Sequence, residues 1–370
     1  MKAPAPLQPI APPWALRAAG PPLPWRTRLS ITLARARRWE FWPAWLFYPP
    51  VVLWILLLGL RHGRMTLFTA ANPAIDDGGV VGERKHQTLL PLQARAPDLV
   101  ASCELLEGPG RRARGLAAAE RLGYPLVLKP DVGQRGRGVF IARSPAEVSA
   151  YLERHDEAVI AQRYVGGEEY GVFIARFPGE PGVRLLSVVH KAFPQLQGDG
   201  QRPLLALILA DPRARLLAPL LLPRWSGHLE RVLAAGERLP LVEIGAHCRG
   251  SLFLDAGDAA TPALAATLTR LTDALPGYAF GRIDLRVPDR AALRRGEGLQ
   301  VLELNGVTAE CAHIYHPGTP LLSGYRVLFR QWSLAFALGA AQAARGAPVT
   351  GPWTLLRRFR EDLRRSSRWF

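Results

Sequence analysis

The stretch YPLVLKPDVGQRGRGVFIARSPAE, residues 124–147, decides the fold class. The apolar run YPLVLKP ends on Lys129 and Pro130, the glycines Gly133, Gly136 and Gly138 follow, and VFIAR resumes a strand-like run. Only then does S-P-A-E supply a helix start, with Ser144 as cap, proline at the first helical position and Glu147 three residues on. The glycines therefore join strand to strand. A dinucleotide fingerprint or a Walker loop needs strand, glycines and helix in that order, so both are disfavoured. A glycine-rich hairpin with a lysine on the preceding strand is one way to cover a triphosphate.

Outward from this hairpin, AVIAQRYVGGEEYGVFIARF (158–177) reads as strand, short linker, turn at Gly166-Gly167, and strand. Glu168 and Glu169 follow the turn, either as solvated turn acids or as an acid beside a nucleotide ribose. Later come GRIDLRV (281–287) and VLELNG (301–306), both alternating. Alternation puts Arg282 and Asp284 on one face of the first, and Glu303 and Asn305 on one face of the second. Two neighbouring strands presenting Asp, Glu and Asn oxygens make a site for a hard cation such as magnesium, with Arg282 beside it; a sheet with a polar solvent face is the plain alternative.

Lysine usage sharpens these signals. Of 47 basic residues only Lys2, Lys85, Lys129 and Lys191 are lysines. A chain that uses arginine for its ordinary cations keeps lysine where a compact ammonium must reach phosphate in a cleft. With 370 residues, 48% hydrophobic and 21% charged, the chain can bury more than one core. Cys103, Cys248 and Cys311 form no C-x-x-C pair, which excludes a disulfide framework and the usual structural zinc sites and fits a reducing compartment.

The net charge of +16 is concentrated at the ends: residues 1–64 hold nine basic residues against Glu40, and residues 351–370 hold six against two acids. A nearly balanced body argues against a nucleic-acid partner. Within the first segment, FWPAWLFYPPVVLWILLLGL (41–60) is uncharged, rich in Trp and flanked by Arg35, Arg37, Arg38, Arg61 and Arg64. Pro49-Pro50 would break a helix there. The run is therefore expected either to lie in a membrane interface, together with the basic amphipathic tail WTLLRRFREDLRRSSRWF (353–370), or to pack as a helix of about Val51–Leu60 inside a small N-terminal lobe.

Taken in order, these segments resemble the ATP-grasp superfamily of carboxylate–amine ligases, over roughly residues 66–320. The resemblance implies an α/β (α+β) ATP-grasp fold whose two lobes clasp ATP, here with a truncated N-terminal lobe and basic terminal segments. It matches Lys85 and Lys129 to the two ATP-binding lysines and Gly133, Gly136 and Gly138 to the lid over the phosphates. Gln162, Arg163 and Tyr164 match the linker that reads adenine, and Glu169 the ribose acid. Lys191, with the GDG of QGDGQRPLLALI (197–208), is similar to peptide-forming members. Asp284, Glu303 and Asn305 fall on the magnesium ligands and Arg282 on the arginine that contacts the acyl-phosphate; Lys129 and Lys191 share that catalytic role. GRIDLRV and LELN are close to the same stretch in D-alanine–D-alanine ligases, but NGVTAECAHIYHPG (305–318) departs from them, so D-alanine is not implied.

The expected layout is a Trp-rich segment 1–64 carrying an apolar helix 41–60, a reduced lobe 65–105 whose strand and loop come from about 65–80, an ATP-grasp domain 106–345 with a packing helix over 320–345, and a tail 346–370. The expected activity is ATP- and magnesium-dependent joining of a small-molecule or peptide carboxylate to an amine through an acyl-phosphate. A kinase of the same fold and a non-catalytic ATP-binding protein at a membrane surface are the alternatives. Arg249, Glu310, His313 and Tyr315 are the candidates for substrate contact, while His247 beside Cys248 is read as structural, as neighbours on a strand that face opposite ways. A cytoplasmic setting, peripheral at the inner face of the membrane, completes the reading; a homo-oligomer is left open.

Overall fold

A computed structural model describes residues 20–134 and 136–366. Lys2, the first nineteen residues of the segment 1–64 and the last four of the tail 346–370 lie outside the described residues, as does Arg135. The strands in chain order are β1 (Cys103–Leu106), β2 (Leu126–Pro130), β3 (Phe140–Ala142), β4 (Val159–Arg163), β5 (Glu168–Ala175), β6 (Arg184–Ala192), β7 (Gln195–Gln197), β8 (Arg238–Pro240), β9 (Leu252–Asp255), β10 (Phe280–Val287) and β11 (Gln300–Asn305). The pairs β1–β4, β2–β3, β2–β4, β5–β6, β5–β10, β7–β8 and β10–β11 are antiparallel, and the class is mixed α/β.

The chain divides into two compact units. Among the described residues the larger comprises 48–191 and 253–366, the smaller 20–47 and 192–252. The larger holds a four-stranded sheet in the order β1-β4-β2-β3 and a five-stranded sheet in the order β11-β10-β5-β6-β9. The expected strand–glycine–strand reading of 124–147 is what folds: β2 and β3 pair as a hairpin, Leu126 opposite Ala142. Helix Pro145–Arg154 then starts as its sequence requires. Ser144 Oγ accepts from Glu147 N at 3.3 Å, and Glu147 returns a carboxylate oxygen to Arg143 N at 2.6 Å.

The five-stranded sheet is buried by apolar side chains of alternate register, among them Val172, Ile174, Ile283, Leu285 and Leu304, against helices Lys85–Arg95 and Pro262–Ala274. Its other face meets Phe68, Phe336 and Val307, which places the long helix Leu321–Ala343 against it. That helix occupies the packing helix expected over 320–345.

Two local expectations are corrected. Residues 65–80, expected to supply a strand and loop, form two 3-10 turns, Leu67–Ala71 and Asp76–Gly78. The reason is Asn72, whose buried amide replaces a ladder: its Oδ1 accepts from Ala279 N at 2.8 Å and Phe280 N at 2.7 Å, while Nδ2 donates to Phe280 O. The apolar run 41–60 is not one helix: a short helix Ala44–Phe47 is followed by helix Pro49–Arg61, with the two prolines in its first turn, where their missing N–H groups cost nothing. No helix among the described residues is long and apolar enough to cross a membrane.

The smaller unit has its own core, in which Ile31 packs with Leu204, Leu221, Trp225 and Leu241. Here Arg213 and His247 converge on Glu40, at 2.7 and 3.1 Å. His247 and Cys248 lie on a 3-10 turn, not a strand; the structural role read for His247 agrees with its Glu40 contact, although the geometry invoked for it differs.

Candidate active site

The site is built where β10 and β11 run side by side in the larger unit. Their register sets Asp284 opposite Glu303 and Arg282 opposite Asn305. Arg282 Nε donates to Asp284 Oδ1 at 2.8 Å, and Asn305 Nδ2 lies 3.3 Å from Asp284 Oδ2. The third alternate residue of β10, Arg286, extends the same face and reaches Glu169 on β5 at 3.1 Å. Glu169 is thus no solvated turn acid.

All three scarce lysines of the described chain converge here. Lys191, at the end of β6, bridges Glu169 at 3.2 Å and Asp284 at 3.1 Å. Lys85, at the start of helix Lys85–Arg95, lies 3.3 Å from Glu303 and donates to Gly133 O at 2.7 Å. Lys129, near the end of β2, donates to Gln162 Oε1 at 2.8 Å and to the Leu302 carbonyl at 2.7 Å. Their exposures are 2, 7 and 5%; lysines are almost never so buried without a partner.

The glycine loop is tied to this basin by its base. Asp131 accepts from His86 N at 2.9 Å and meets His86 Nδ1 at 2.7 Å, and its carbonyl accepts from Lys85 N at 3.0 Å. Gly136 and Gly138 adopt φ of 69° and 68°, a left-handed conformation that favours glycine. Gln162 and Arg163 belong to β4 and not to a linker; only Tyr164–Gly167 join β4 to β5, so the adenine-linker expectation narrows to Tyr164, whose ring lies 5.1 Å from the Arg286 guanidinium.

Burial lowers the Lys129 ammonium to about 8, against the pull of Glu303. Asp284 would be raised by burial, but Arg282 and Lys191 hold it below the usual carboxylate range. Burial pulls Arg282 down, and Asp284 beside it more than reverses this. Glu83 escaped the sequence reading. Burial lifts its carboxyl to about 8, although Gly306 N donates to it, so at neutral pH it is largely protonated. The basin therefore gathers the basic side chains of Lys85, Lys129, Lys191, Arg282 and Arg286 around Glu169, Asp284 and Glu303. Such a cluster of basic side chains suits a polyanion. Arg286 was legible in GRIDLRV as the next alternate residue; Glu83 had no local signal.

Among the substrate candidates, Glu310 and Tyr315 come together and His313 is separately engaged. Glu310 accepts from Tyr315 Oη and from Tyr48 Oη, each at 2.6 Å, while His313 Nδ1 lies 2.7 Å from Ser187 Oγ. Glu310 also helps hold Arg282 charged. Tyr48 had no signal in the sequence. Arg249 lies in the smaller unit. Burial pushes the Cys311 thiol up to about 12, which removes it as a nucleophile. Among the described residues no three His, Cys, Asp or Glu side chains gather as a metal cluster. The oxygen set Asp284, Glu303 and Asn305 nevertheless has the hard-donor chemistry that magnesium takes.

No protein-family model matches the chain. It is similar to N-acetylaspartylglutamate synthase A of Mus musculus, 47% identical over 49 residues, which is 13% of each chain; the chain thus matches only about an eighth of the length of its curated relatives. Among solved structures it is similar to the D-Ala:D-Ser ligase of Enterococcus faecalis (16% identity, 72% of this chain and 64% of that one, TM-score 0.40). It is likewise similar to the D-alanine–D-alanine ligase of Bacillus anthracis (15% identity, 71% and 68%, TM-score 0.38).

Proposed function

We propose that the larger unit is an ATP- and magnesium-dependent carboxylate–amine ligase. The observation that carries this reading is the convergence of Lys85, Lys129 and Lys191 on Asp284, Glu303 and Glu169. The match to a synthase over a short stretch agrees with it.

In this reading Lys85 and Lys129 hold ATP phosphates under the loop that carries Gly133, Gly136 and Gly138. Glu169 turns from its cations to the ribose, and Tyr164 borders the base. Asp284, Glu303 and Asn305 would hold magnesium, which when bound offsets phosphate charge. A substrate carboxylate oxygen attacks the γ-phosphorus and ADP leaves, giving an acyl-phosphate. Lys129, Lys191 and Arg282 sit where charge develops on the transferring group and lower its energy by fixed, buried positive charge. The amine then attacks the acyl carbon, inorganic phosphate departs and the nitrogen loses a proton. Glu310, with Tyr315 and His313, is proposed to contact the acceptor or the acyl chain. The site is proposed to work in the cytoplasm, with the chain peripheral at an anionic membrane face.

Glu303→Gln is the clean test. Asp284→Asn would leave Lys191 and Arg282 buried without their shared carboxylate, at a cost of about 3–5 kcal/mol, whereas Glu303 is partly exposed. A pooled carboxylate and amine screen should release ADP with the native chain, and Glu303→Gln should lower that rate at least about a hundredfold while the far-ultraviolet spectrum is unchanged. Hydroxylamine should trap the activated acyl group. A product stable to hydroxylamine would instead favour a kinase, and undiminished turnover in Glu303→Gln would end the assignment.

A further inference from the structure

The smaller unit contains a cavity that the ligase reading does not use. Its volume is about 750 Å³, within the range of small-molecule sites. Helix Trp25–Ala36 forms one wall and helix Ala218–Arg224 another. The lining is apolar, with Ile31, Phe41, Trp42 and Leu222 prominent, and it is interrupted by Arg28 and Arg35.

The charge around the cavity is one-sided. Between residues 20 and 47 stand Arg26, Arg28, Arg35, Arg37 and Arg38, with Glu40 as the single acid. Glu40 is already taken by Arg213 and His247. Arg35 is fixed as part of the wall: it donates to Leu216 O at 2.6 Å and lies 4.6 Å from the Phe41 ring. Arg28, which also lines the cavity, makes no ion pair or side-chain hydrogen bond among the described residues, and it is exposed. An apolar cavity with an exposed arginine in its lining selects a ligand with an apolar tail and one anionic head.

We infer that this cavity binds a single-chain anionic amphiphile, a long-chain carboxylate, with the tail between Ile31, Trp42 and Leu222 and the carboxylate at Arg28. An arginine presents a planar pair of donors that a carboxylate matches, and the apolar walls supply the affinity. A neutral alcohol of the same length keeps the tail contacts and loses the head contact.

The test uses the full chain with cis-parinaric acid, a fluorescent long-chain carboxylate, below its micellar concentration. Saturable binding near one per chain is expected, displaced at least about tenfold better by dodecanoate than by dodecan-1-ol, a ratio equal to about 1.4 kcal/mol. Arg28→Gln should erase that preference. Thr32→Trp, on an exposed position lining the cavity, should weaken parinarate at least about tenfold without lowering the melting temperature, because the indole fills the recess. No saturable binding by the full chain would overturn the inference. So would equal displacement by the alcohol, or unchanged affinity in Thr32→Trp, which would place the probe on other exposed apolar helices. The test reads binding without ATP, so its failure leaves the ligase reading standing and the reverse also holds.

Discussion

Lys129 shows at the scale of one residue why this chain keeps a lysine. Its ammonium reaches two acceptors at 2.7 and 2.8 Å in a fully enclosed position, which a guanidinium fork would overfill. Burial depresses its pKa from 10.5 to about 8. The unfolded chain therefore binds this proton more tightly, and between about pH 8 and 10.5 raising the pH favours the folded state as far as this group is concerned. Polyphosphate would reverse the shift, because a neighbouring anion favours the charged ammonium. ATP binding at pH 9 should then take up close to one proton, and at pH 6.5 almost none from this group. Calorimetry in buffers of different ionisation enthalpy measures this directly; the absence of uptake at pH 9 would remove Lys129 from the phosphates. The lysines and the acid pair were legible because their rarity and alternation are properties of the sequence itself. Glu83 and Tyr48 were not, because each acts through a partner more than 200 residues away.

At the scale of elements, the capping residues around Ser144 and the alternation in GRIDLRV and LELN carried over unchanged, since both are local rules of backbone geometry. The segment 65–80 did not, because a single long-range amide, Asn72, decides its path. The pairing of β10 with β11 is what brings Asp284 and Glu303 together, and Gly281 permits it. Gly281 has φ of 149°, and a Cβ there would come within 1.9 Å of the Asn305 carbonyl oxygen. Gly281→Ala must push β11 away from β10. It should destabilise the chain by about 3 kcal/mol, as overpacking against backbone does, and weaken ATP binding more than a surface control such as Gly351→Ala. Denaturant unfolding and nucleotide titration on the same variant separate the two losses; full stability and full affinity would show that the register does not depend on this glycine.

At the scale of the whole molecule, exposed apolar side chains and arginines share the same terminal elements. Helix Pro49–Arg61 leaves Leu53, Leu57 and Leu60 exposed and ends at Arg61; helix Pro352–Ser366 leaves Trp353, Phe359 and Leu363 exposed beside Arg357, Arg360 and Arg364. Arg358, on that last helix, is anchored to Asp77 at 2.6 Å. With the chain's net charge of +16, the full-length protein should float with vesicles rich in anionic phospholipid at low salt. It should be released in part at about 1 M salt, where the Debye length is about 3 Å. Equal flotation with neutral vesicles would make the attachment apolar only, and none at low salt would remove it. The sequence by itself determined the strand–glycine–strand hairpin, the faces of the late strands and the scarcity of lysine, because these follow from dihedral preference and side-chain period within a few residues. Only the tertiary structure decided which cations meet which carboxylates, that Glu169 and Arg286 are one buried pair, and that residues 20–47 join 192–252 in a unit with a cavity of its own. Those outcomes depend on which distant segments exclude water together, and no short stretch of chain encodes that.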